Sequence, residues 1–588
     1  FPMGGNISPK PVLKAAMLLR TQRAGGAAGC RSTRPQVALK LRPTVLTMGY
    51  YKDLREFLQA LDKAGKLRRI QRPINKDTEL NPLVRWQFRG LEEAQRFGFL
   101  FERVTGMDGA SYQGSVAAAV IAPSQEIYAL ALQCANSRQA MYHKWAEALR
   151  RPIAPVPVKS GPVKEEIHVG EGLLAHGGLK EFPIPMTTNG WEALPRLTGL
   201  CWISKDPDTG EINVGTYNGV YLGALESCAR VSPRGHMRIH WQKCQARGKP
   251  LQVAAVIGPS PALVMTSITE IPYGVSELEV AGGLAGEPIA MVRCETVDLE
   301  VPAAAEIVLE GEISTDYILP DPASGEHTGY TFVDRTALPF HICGITHRKN
   351  PVWHDLLDQF PPSESSVMGN INREAHMLNF LRSACGIPQV KDVAFHHCGG
   401  SRRLCVIRLR DLGGTRTSKR TVWHALNAAL AVSTEWPKIA VAVDDDIDPW
   451  DLESVFWAVS FRYQPHRDTH IVQGRGATAD QSGGPRTLPM EEQEYPTSRS
   501  GLEGNSSILI DATRKWPYTP TSLPKQSYME RAKAIWEEIG LPQLNPREPW
   551  HGVSWGEWPE SYRRHAEMAE RGEFEKIAAE ILQQKKKL

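Results

Sequence analysis

Four polar residues in the middle third of the chain, each inside its own short motif, are of the types that do chemistry. Asn213 lies in NVGTYN, His236 in SPRGH, Glu277 in GVSE and Glu326 in SGEHTGY. Asn, His and Glu are hard-to-borderline ligands. They suit a manganese or magnesium ion that bridges protein to phosphate, and they suit a thiolate zinc centre poorly. Glu326 stands beside His327 in a Gly-flanked loop, where a proton donor can be presented to a ligand. One such residue alone means little; their order and spacing give the signal.

The stretch 181–345 must position them, and it reads as β-rich. LTGLCWISKD followed by NVGTYNGVYL predicts a hairpin about Pro207-Asp208-Thr209-Gly210. QVAAVIG, IAMVRCETVDLEVP, AEIVLEGEI and FHICGITHR supply further strands. Many short strands with few helices point to a barrel or split barrel. Ahead of it, 49–180 reads as an N-terminal α/β domain. There Leu54, Phe57, Leu58 and Leu61 recur at helical spacing, with Gly65 as C-cap. A strand-like run follows at 117–121, then a helical stretch over 124–149 and an extended linker through Pro152, Pro155 and Pro157. After the β-rich region, 346–527 returns to α/β alternation around the strand IAVAVDDD. The tail, 528–588, holds two helical segments about a Trp- and Pro-rich loop and is a candidate oligomerisation segment.

Composition excludes several classes. The 588 residues suffice for about three or four domains. A net charge of +3 implies no strong polyanion partner such as nucleic acid. No run nears the roughly 18 apolar residues that a membrane span needs. The 10 cysteines show no CxxC pair and read as buried thiols in a reducing compartment. No GxGxxG follows a strand and no GxxxxGK[ST] occurs, so neither a Rossmann nor a P-loop site is signalled. The leader, 1–48, carries Lys10, Lys14, Arg20, Arg23, Arg31, Arg34, Lys40 and Arg42, and no acid precedes Asp53. That is the composition of a mitochondrial transit peptide. A start at Met48 would instead give a cytoplasmic protein.

GVSELEVAGGLAGEP, VRCETVDLEVPAAAEIVLEGEI, SGEHTGY and ILIDATRKWP together resemble the UbiD family of decarboxylases, over about Tyr50 to Pro549. The resemblance implies an α/β fold with a central split β-barrel of flavin-reductase type, flanked by N-terminal and C-terminal α/β domains. It implies prenylated FMN as cofactor, made by a separate flavin prenyltransferase. The reaction it implies is reversible, non-oxidative decarboxylation. Asn213, His236 and Glu277 match the family's ligands to a divalent ion, manganese, that clamps the cofactor phosphate; potassium is the second ion. The steps 236 − 213 = 23 and 277 − 236 = 41 agree with the family's spacing. Thr198, Gly215, Thr216, Tyr217, Asn218 and Ser267 fall where members touch the flavin or its phosphate. Glu326 matches the acid. Losing carbon dioxide from an aryl carboxylate leaves a carbanion that no side chain can absorb, so a cofactor must be the electron sink. A carboxyl that donates a proton near neutral pH must have a raised pKa.

The sequence also departs from the family. Members carry Arg five residues after the ligand Asn and Glu five residues before the acid, forming a carboxylate–guanidinium–carboxylate network. Here those positions are Asn218 and Asp321. Asn cannot replace a bidentate donor. The expectation is an amide–carboxylate hydrogen bond between Asn218 and Asp321, a Glu326 without a neighbouring cation and so with a higher pKa, and a working but altered site. His327 narrows the substrate. HTGY resembles the hydroxybenzoate and catechol-acid branch, closest to the protocatechuate enzymes, whereas cinnamate-type enzymes carry Met-His-Gly-Tyr. A histidine can bind or deprotonate a phenol hydroxyl. The substrate read here is a small aromatic acid, a hydroxylated benzoic acid such as protocatechuate, acted on by a homodimer or larger homo-oligomer. Two alternatives stay open: a cinnamate-type acrylic acid decarboxylase, and a catalytically weak relative that serves as a binding subunit. Three local rivals are a zinc pair at His236 and His240, a metal set at His396, His397 and Cys398 (read rather as a strand-end turn), and a calcium loop at Asp444, Asp445 and Asp446 (read rather as a solvated strand end).

Overall fold

The first helix, Leu54–Lys63, forms as its spacing predicts. Asp53 Oδ1 accepts from the Glu56 N–H, and Leu54, Phe57, Leu58 and Leu61 turn into the core. Gly65, at φ +69°, ends it in the left-handed conformation that a side chain disfavours. The computed structural model describes residues 49–232, 235–271, 274–332, 335–358, 360–412, 417–475, 482, 505–519, 521–522, 524–544 and 560–584. The leader 1–48 and its targeting reading lie outside the described residues.

Two local expectations are corrected here. The stretch 124–149 is two helices, Gln125–Leu132 and Arg138–Arg150, because Ser124 and Ser137 each cap a new start and Gln133 closes the first in the left-handed region. The run 117–121 is strand only within Ser115–Ala118, since Ala119 turns away at φ +54°. That strand lies in a four-stranded sheet ordered Leu67–Ile70, Gly98–Phe101, Ser115–Ala118, Val352–Asp355.

The central sheet is antiparallel and eight-stranded. Its path runs Ile212–Thr216, Cys201–Lys205, Leu251–Ile257, Ile307–Ile313, Arg335–His347, Glu226–Ala229, with Glu166–Val169 and Leu319–Asp321 also paired to the long strand. Among the described residues no pairing joins the two ends of that path. The hairpin forms about its predicted turn, with Ile212 facing Lys205 and Gly210 at φ +78°. Period-two alternation buries both faces: Cys201, Ile203 and Val214 pack into one core, Leu200, Trp202 and Leu309 into another. Each fully buried large side chain contributes roughly 1.5–3 kcal/mol.

The region is not helix-poor, as its strand-rich sequence suggested. Pro261–Ile268 and Glu277–Ala285 contribute to the first core, and His236–Gln245 contributes Met237 and Trp241 to the second. Beyond the central sheet, a five-stranded sheet is ordered Val390–Phe395, Leu404–Leu409, Ile439–Val443, Asn505–Asp511, Thr469–Arg475. Lys419–Ala431 and Leu452–Arg462 flank the predicted strand IAVAV. The tail holds three described helices, Gln526–Glu538, Glu560–Glu570 and Phe574–Gln583, rather than two. No described helix is long and apolar enough to cross a membrane, and the described cysteines are free thiols.

Candidate active site

The strand Ile212–Thr216 ends the path of the central sheet and carries Asn213, Gly215 and Thr216. Glu277 Oε2 accepts the Val214 N–H at 3.0 Å, which fixes the carboxylate beside Asn213. His236 Nδ1 lies 4.0 Å from Glu277 Oε1. Three separate elements thus bring the three candidate ligands together. Only Asn213 sits on a strand. His236 and Glu277 are each the first residue of a helix, in a stretch that its sequence pattern read as strands with few helices. Helix starts also place a positive dipole end near the cluster, which favours an anion.

The cluster's chemistry fits a divalent ion. Asn213 is buried, and its Nδ2 has no hydrogen-bond partner. Burial lifts the Glu277 carboxyl to about 7 and holds His236 below its usual range, in the neutral form that ligates metal. A buried carboxylate of this kind gains most from a cation bound against it. Alongside, a Cβ on Gly215 would lie 2.7 Å from the Tyr217 hydroxyl, so only glycine lets that ring fold over the strand. Burial pushes the Tyr217 phenol up to about 12. Thr216 Oγ1 and Ser267 Oγ meet at 2.8 Å. The Thr198 hydroxyl is committed to protein: it donates to Asp355 Oδ1 at 2.5 Å and accepts the Leu356 N–H at 3.1 Å.

Glu326 lies in the loop between Ser324–Gly325 and Thr331–Phe332. Its N–H donates to the Tyr330 carbonyl, and its own carbonyl accepts from Gly329, which stands at φ +90°. The side chain is buried. Oε1 is 2.5 Å from Arg230 Nη2, and Oε2 is 3.1 Å from His327 Nδ1. Arg230 also donates to Ser324 Oγ at 3.2 Å. Glu326 therefore does have a neighbouring cation, and the expected rise of its pKa for want of one loses its premise. The guanidinium comes from a residue whose backbone adjoins the expected position: the Arg230 N–H donates to the Asn218 carbonyl at 3.0 Å. Burial works against the Arg230 charge, but Glu326, then Asp321 and Asp358, outweigh it and hold the guanidinium above its usual range.

Asp321 is buried too, and Arg196 Nη1 lies 3.5 Å from its Oδ1. The expected Asn218–Asp321 hydrogen bond is thus replaced by an arginine pair. His327 is held below its usual range, by burial first and then by Arg402, with Glu326 opposing. Asp358 completes the group: one ligand-type atom each from Glu326, His327 and Asp358 lie within 4.8 Å of one another. Arg230, Arg196 and Asp358 were missed in the sequence. Glu326 opens on a cleft of about 450 Å³ whose walls include Pro82, Arg85, Trp86, Asn189 and Phe360.

The local rivals resolve. His240 turns to Ser204 Oγ, 3.0 Å from its Nδ1, rather than pairing with His236. His397–Gly399 is a turn, and His396 Nε2 faces the Pro449 carbonyl at 2.8 Å. Asp444 and Asp446 are not solvated: Arg462 pairs with both, at 2.9 and 2.6 Å.

Two family models match consecutive stretches. The 3-octaprenyl-4-hydroxybenzoate carboxy-lyase Rift-related domain matches residues 155–359, and the C-terminal domain of the same carboxy-lyase matches residues 366–511. The UbiD-class enzyme HmfF from Pelotomaculum thermopropionicum, solved in complex with FMN, is 30% identical over 82% of this chain and 99% of that one, with a TM-score of 0.68. The chain belongs to the UbiD family. It is a UbiD-class carboxy-lyase of mixed α/β fold. An evolved dimeric form of HmfF in complex with prFMN is 29% identical over 81% of this chain and 97% of that one, with a TM-score of 0.67. The 3,4-dihydroxybenzoic acid decarboxylase from Enterobacter cloacae shares the UbiD fold at 22% identity, over 84% of this chain and 98% of that one, with a TM-score of 0.67.

Proposed function

We propose that this UbiD-family decarboxylase removes carbon dioxide, reversibly and without net oxidation, from a hydroxylated benzoic acid such as protocatechuate. Prenylated FMN is the electron sink and Glu326 the proton donor. The observation that carries this reading is the Glu326 carboxylate, buried between Arg230 and His327 at the wall of a cleft. In it, the central sheet and its helices are the flavin-holding split barrel. Asn213, His236 and Glu277 would hold Mn²⁺ and through it the flavin phosphate, with K⁺ as second ion. Gly215, Thr216, Tyr217, Asn218, Ser267 and Thr198 would form the flavin's bed. When bound, prenylated FMN, supplied by a flavin prenyltransferase, accepts the electron pair that departing carbon dioxide would otherwise strand on the ring.

The chain's own residues do the rest. Arg230 orients the Glu326 carboxyl through Oε1. His327 passes its Nδ1 proton to Glu326 Oε2 while Nε2 takes one from the phenol O–H, and the carboxyl so formed gives its proton to the vacated ring carbon once the carbon–carbon bond to the carboxylate has broken. The His327 tautomer that donates Nδ1–H to Glu326 Oε2 leaves Nε2 as an acceptor for a phenol O–H. Trp86 and Phe360 give the cleft apolar faces for a ring. The reading as a weak binding subunit rested on a missing guanidinium, and Arg230 takes that support away.

The test is a decarboxylation screen on protein made together with a flavin prenyltransferase, fed protocatechuate, gallate, vanillate, 4-hydroxybenzoate and cinnamate. Turnover of a hydroxybenzoate, lost in Glu326→Gln, is the expected result. Turnover of cinnamate alone would overturn the role given to His327. No turnover with flavin and manganese bound would overturn the decarboxylase assignment to this site.

A further inference from the structure

Three side chains that line neither the cleft nor the Asn213 cluster meet elsewhere on the central sheet. His168 comes from the strand Glu166–Val169, His347 ends the strand Arg335–His347, and Glu181 closes the short turn Gly178–Glu181. His168 Nε2 and His347 Nε2 are 3.0 Å apart, and Glu181 Oε1 is 3.5 Å from His347 Nε2. One ligand atom from each of the three lies within 4.8 Å of the others. The register explains the meeting. Ile345 faces His168 and His347 faces Glu166, so the two histidines are diagonal neighbours on one face of an antiparallel pair.

The surroundings favour a ligand role. Both imidazoles are buried, and the Phe182 ring stands edge-on to His347 at 5.4 Å. His347 Nδ1 is 2.8 Å from the Arg348 carbonyl oxygen, a contact that needs Nδ1–H and leaves Nε2 bare towards the cluster. Neighbouring ligand atoms around a tetrahedral zinc ion lie about 3.3 Å apart for bonds of about 2.0–2.1 Å. The observed 3.0 and 3.5 Å bracket that spacing. The Glu181 side chain is 23% exposed, which gives an ion a way in. His176 Nδ1, 3.7 Å from Glu181 Oε1, is the nearest candidate for a fourth ligand. Two imidazoles and one carboxylate select a borderline ion such as Zn²⁺ over Mg²⁺ or Ca²⁺.

We infer that His168, Glu181 and His347 form a zinc-type metal site, separate from the Asn213–His236–Glu277 cluster, that ties the turn at 178–181 and the strand at 166–169 to the end of the longest strand. This site is independent of the reaction. The rival reading is that the same atoms make only an imidazole–imidazole hydrogen bond, in which case the protein is indifferent to zinc.

The experiment titrates metal-stripped, flavin-free full-length protein with Zn²⁺ against a chromophoric chelator. Wild type is expected to take up zinc at this site. His347→Gln and Glu181→Gln should each weaken that binding by about tenfold or more, while Glu277→Gln keeps it. Cobalt in place of zinc should give a tetrahedral visible spectrum that is lost in the same two variants. Circular dichroism monitors folding, and the partly exposed Glu181→Gln carries the test if His347→Gln fails to fold. No zinc uptake by wild type, uptake unchanged in Glu181→Gln, or uptake abolished by Glu277→Gln alone would each overturn the inference.

Discussion

The two ends of the candidate active site are built in opposite ways. The Asn213–His236–Glu277 end stands on regular elements: an edge strand and the first residues of two helices, locked by the Val214 N–H to Glu277 hydrogen bond. The Glu326 end stands on a loop and a hairpin, and its key cation comes from Arg230. At the first end, residue spacing along the chain maps directly onto place. At the second, the chemistry keeps its place in space while the residue that supplies it moves. The Arg230 N–H donates to the Asn218 carbonyl, so the guanidinium beside Glu326 comes from a position adjoining the one that lacks it. A residue missing at one position is therefore no evidence of a missing function until its neighbours in space are read.

The largest expected effect breaks the acid end alone. Glu326→Gln should lower the decarboxylation rate by about 10²–10⁴-fold, the usual contribution of a general acid, and leave the flavin-to-protein ratio unchanged. Substrate loss by chromatography and the flavin absorption of the same sample check both halves. Loss of flavin together with rate would mean that the two ends are not separable.

Next in size is the moved guanidinium. Arg230→Met leaves the Glu326 carboxylate buried without its partner and should cost on the order of 10²-fold in kcat. The exchange Asn218→Arg with Arg230→Asn should recover most of that loss, whereas Asn218→Arg alone crowds two cations around one carboxylate. If the exchanged protein folds and stays as slow as Arg230→Met, the two positions are not equivalent and the comparison fails. At the other end, Glu277→Gln should reduce retained flavin by roughly tenfold or more, since even outer partners of a metal ligand matter on that scale. Flavin content after gel filtration in the presence of Mn²⁺ reads this directly.

What was legible in the sequence follows the same division. The helix Leu54–Lys63, strongly periodic, and the strand Ile439–Val443, a continuous apolar run, were readable, as was the hairpin with its Pro-Asp-Thr-Gly turn. That Asn213, His236 and Glu277 meet could be anticipated only from the family's spacing, because the two helix starts that carry His236 and Glu277 gave no signal in a stretch read as strands. Breaks that depend on one backbone angle were not readable: Ala119 and Gln133 both take positive φ, which residue type does not announce. The pairings of Arg230 with Glu326 and of Arg196 with Asp321 were hidden for another reason: they join residues about a hundred positions apart, and only the folded chain brings them together. Arg462 meets Asp444 and Asp446 by the packing of its helix end on the strand end, which no local pattern announces.

The smallest effect separates the two carboxylates by pH. Among the described residues Glu277 has only His236 near it as an ion-pair partner, at 4.0 Å, and burial lifts its carboxyl to about 7; Glu326 has Arg230. A carboxyl raised in the fold keeps a proton that the unfolded chain, with an ordinary carboxyl near 4.3, has already released. Between about 4.5 and 7 the native state then binds more protons than the unfolded state. The stability of metal-free protein should accordingly fall as pH rises through that window, by up to about 3 kcal/mol from this one group. Glu277→Gln, uncharged throughout, should flatten that decline and raise Tm by a few degrees at pH 8 while leaving it unchanged at pH 5. Mn²⁺ should do the reverse of acid: by favouring ionised Glu277, it stabilises wild type increasingly up to about pH 7 and Glu277→Gln hardly at all. Thermal unfolding at pH 5 and 8, with and without Mn²⁺, measures all four cases. Parallel profiles for wild type and variant would mean that Glu277 does not carry its burial alone. The contrast between a metal end whose carboxyl is raised by burial and a cation-paired acid end would then have to be given up.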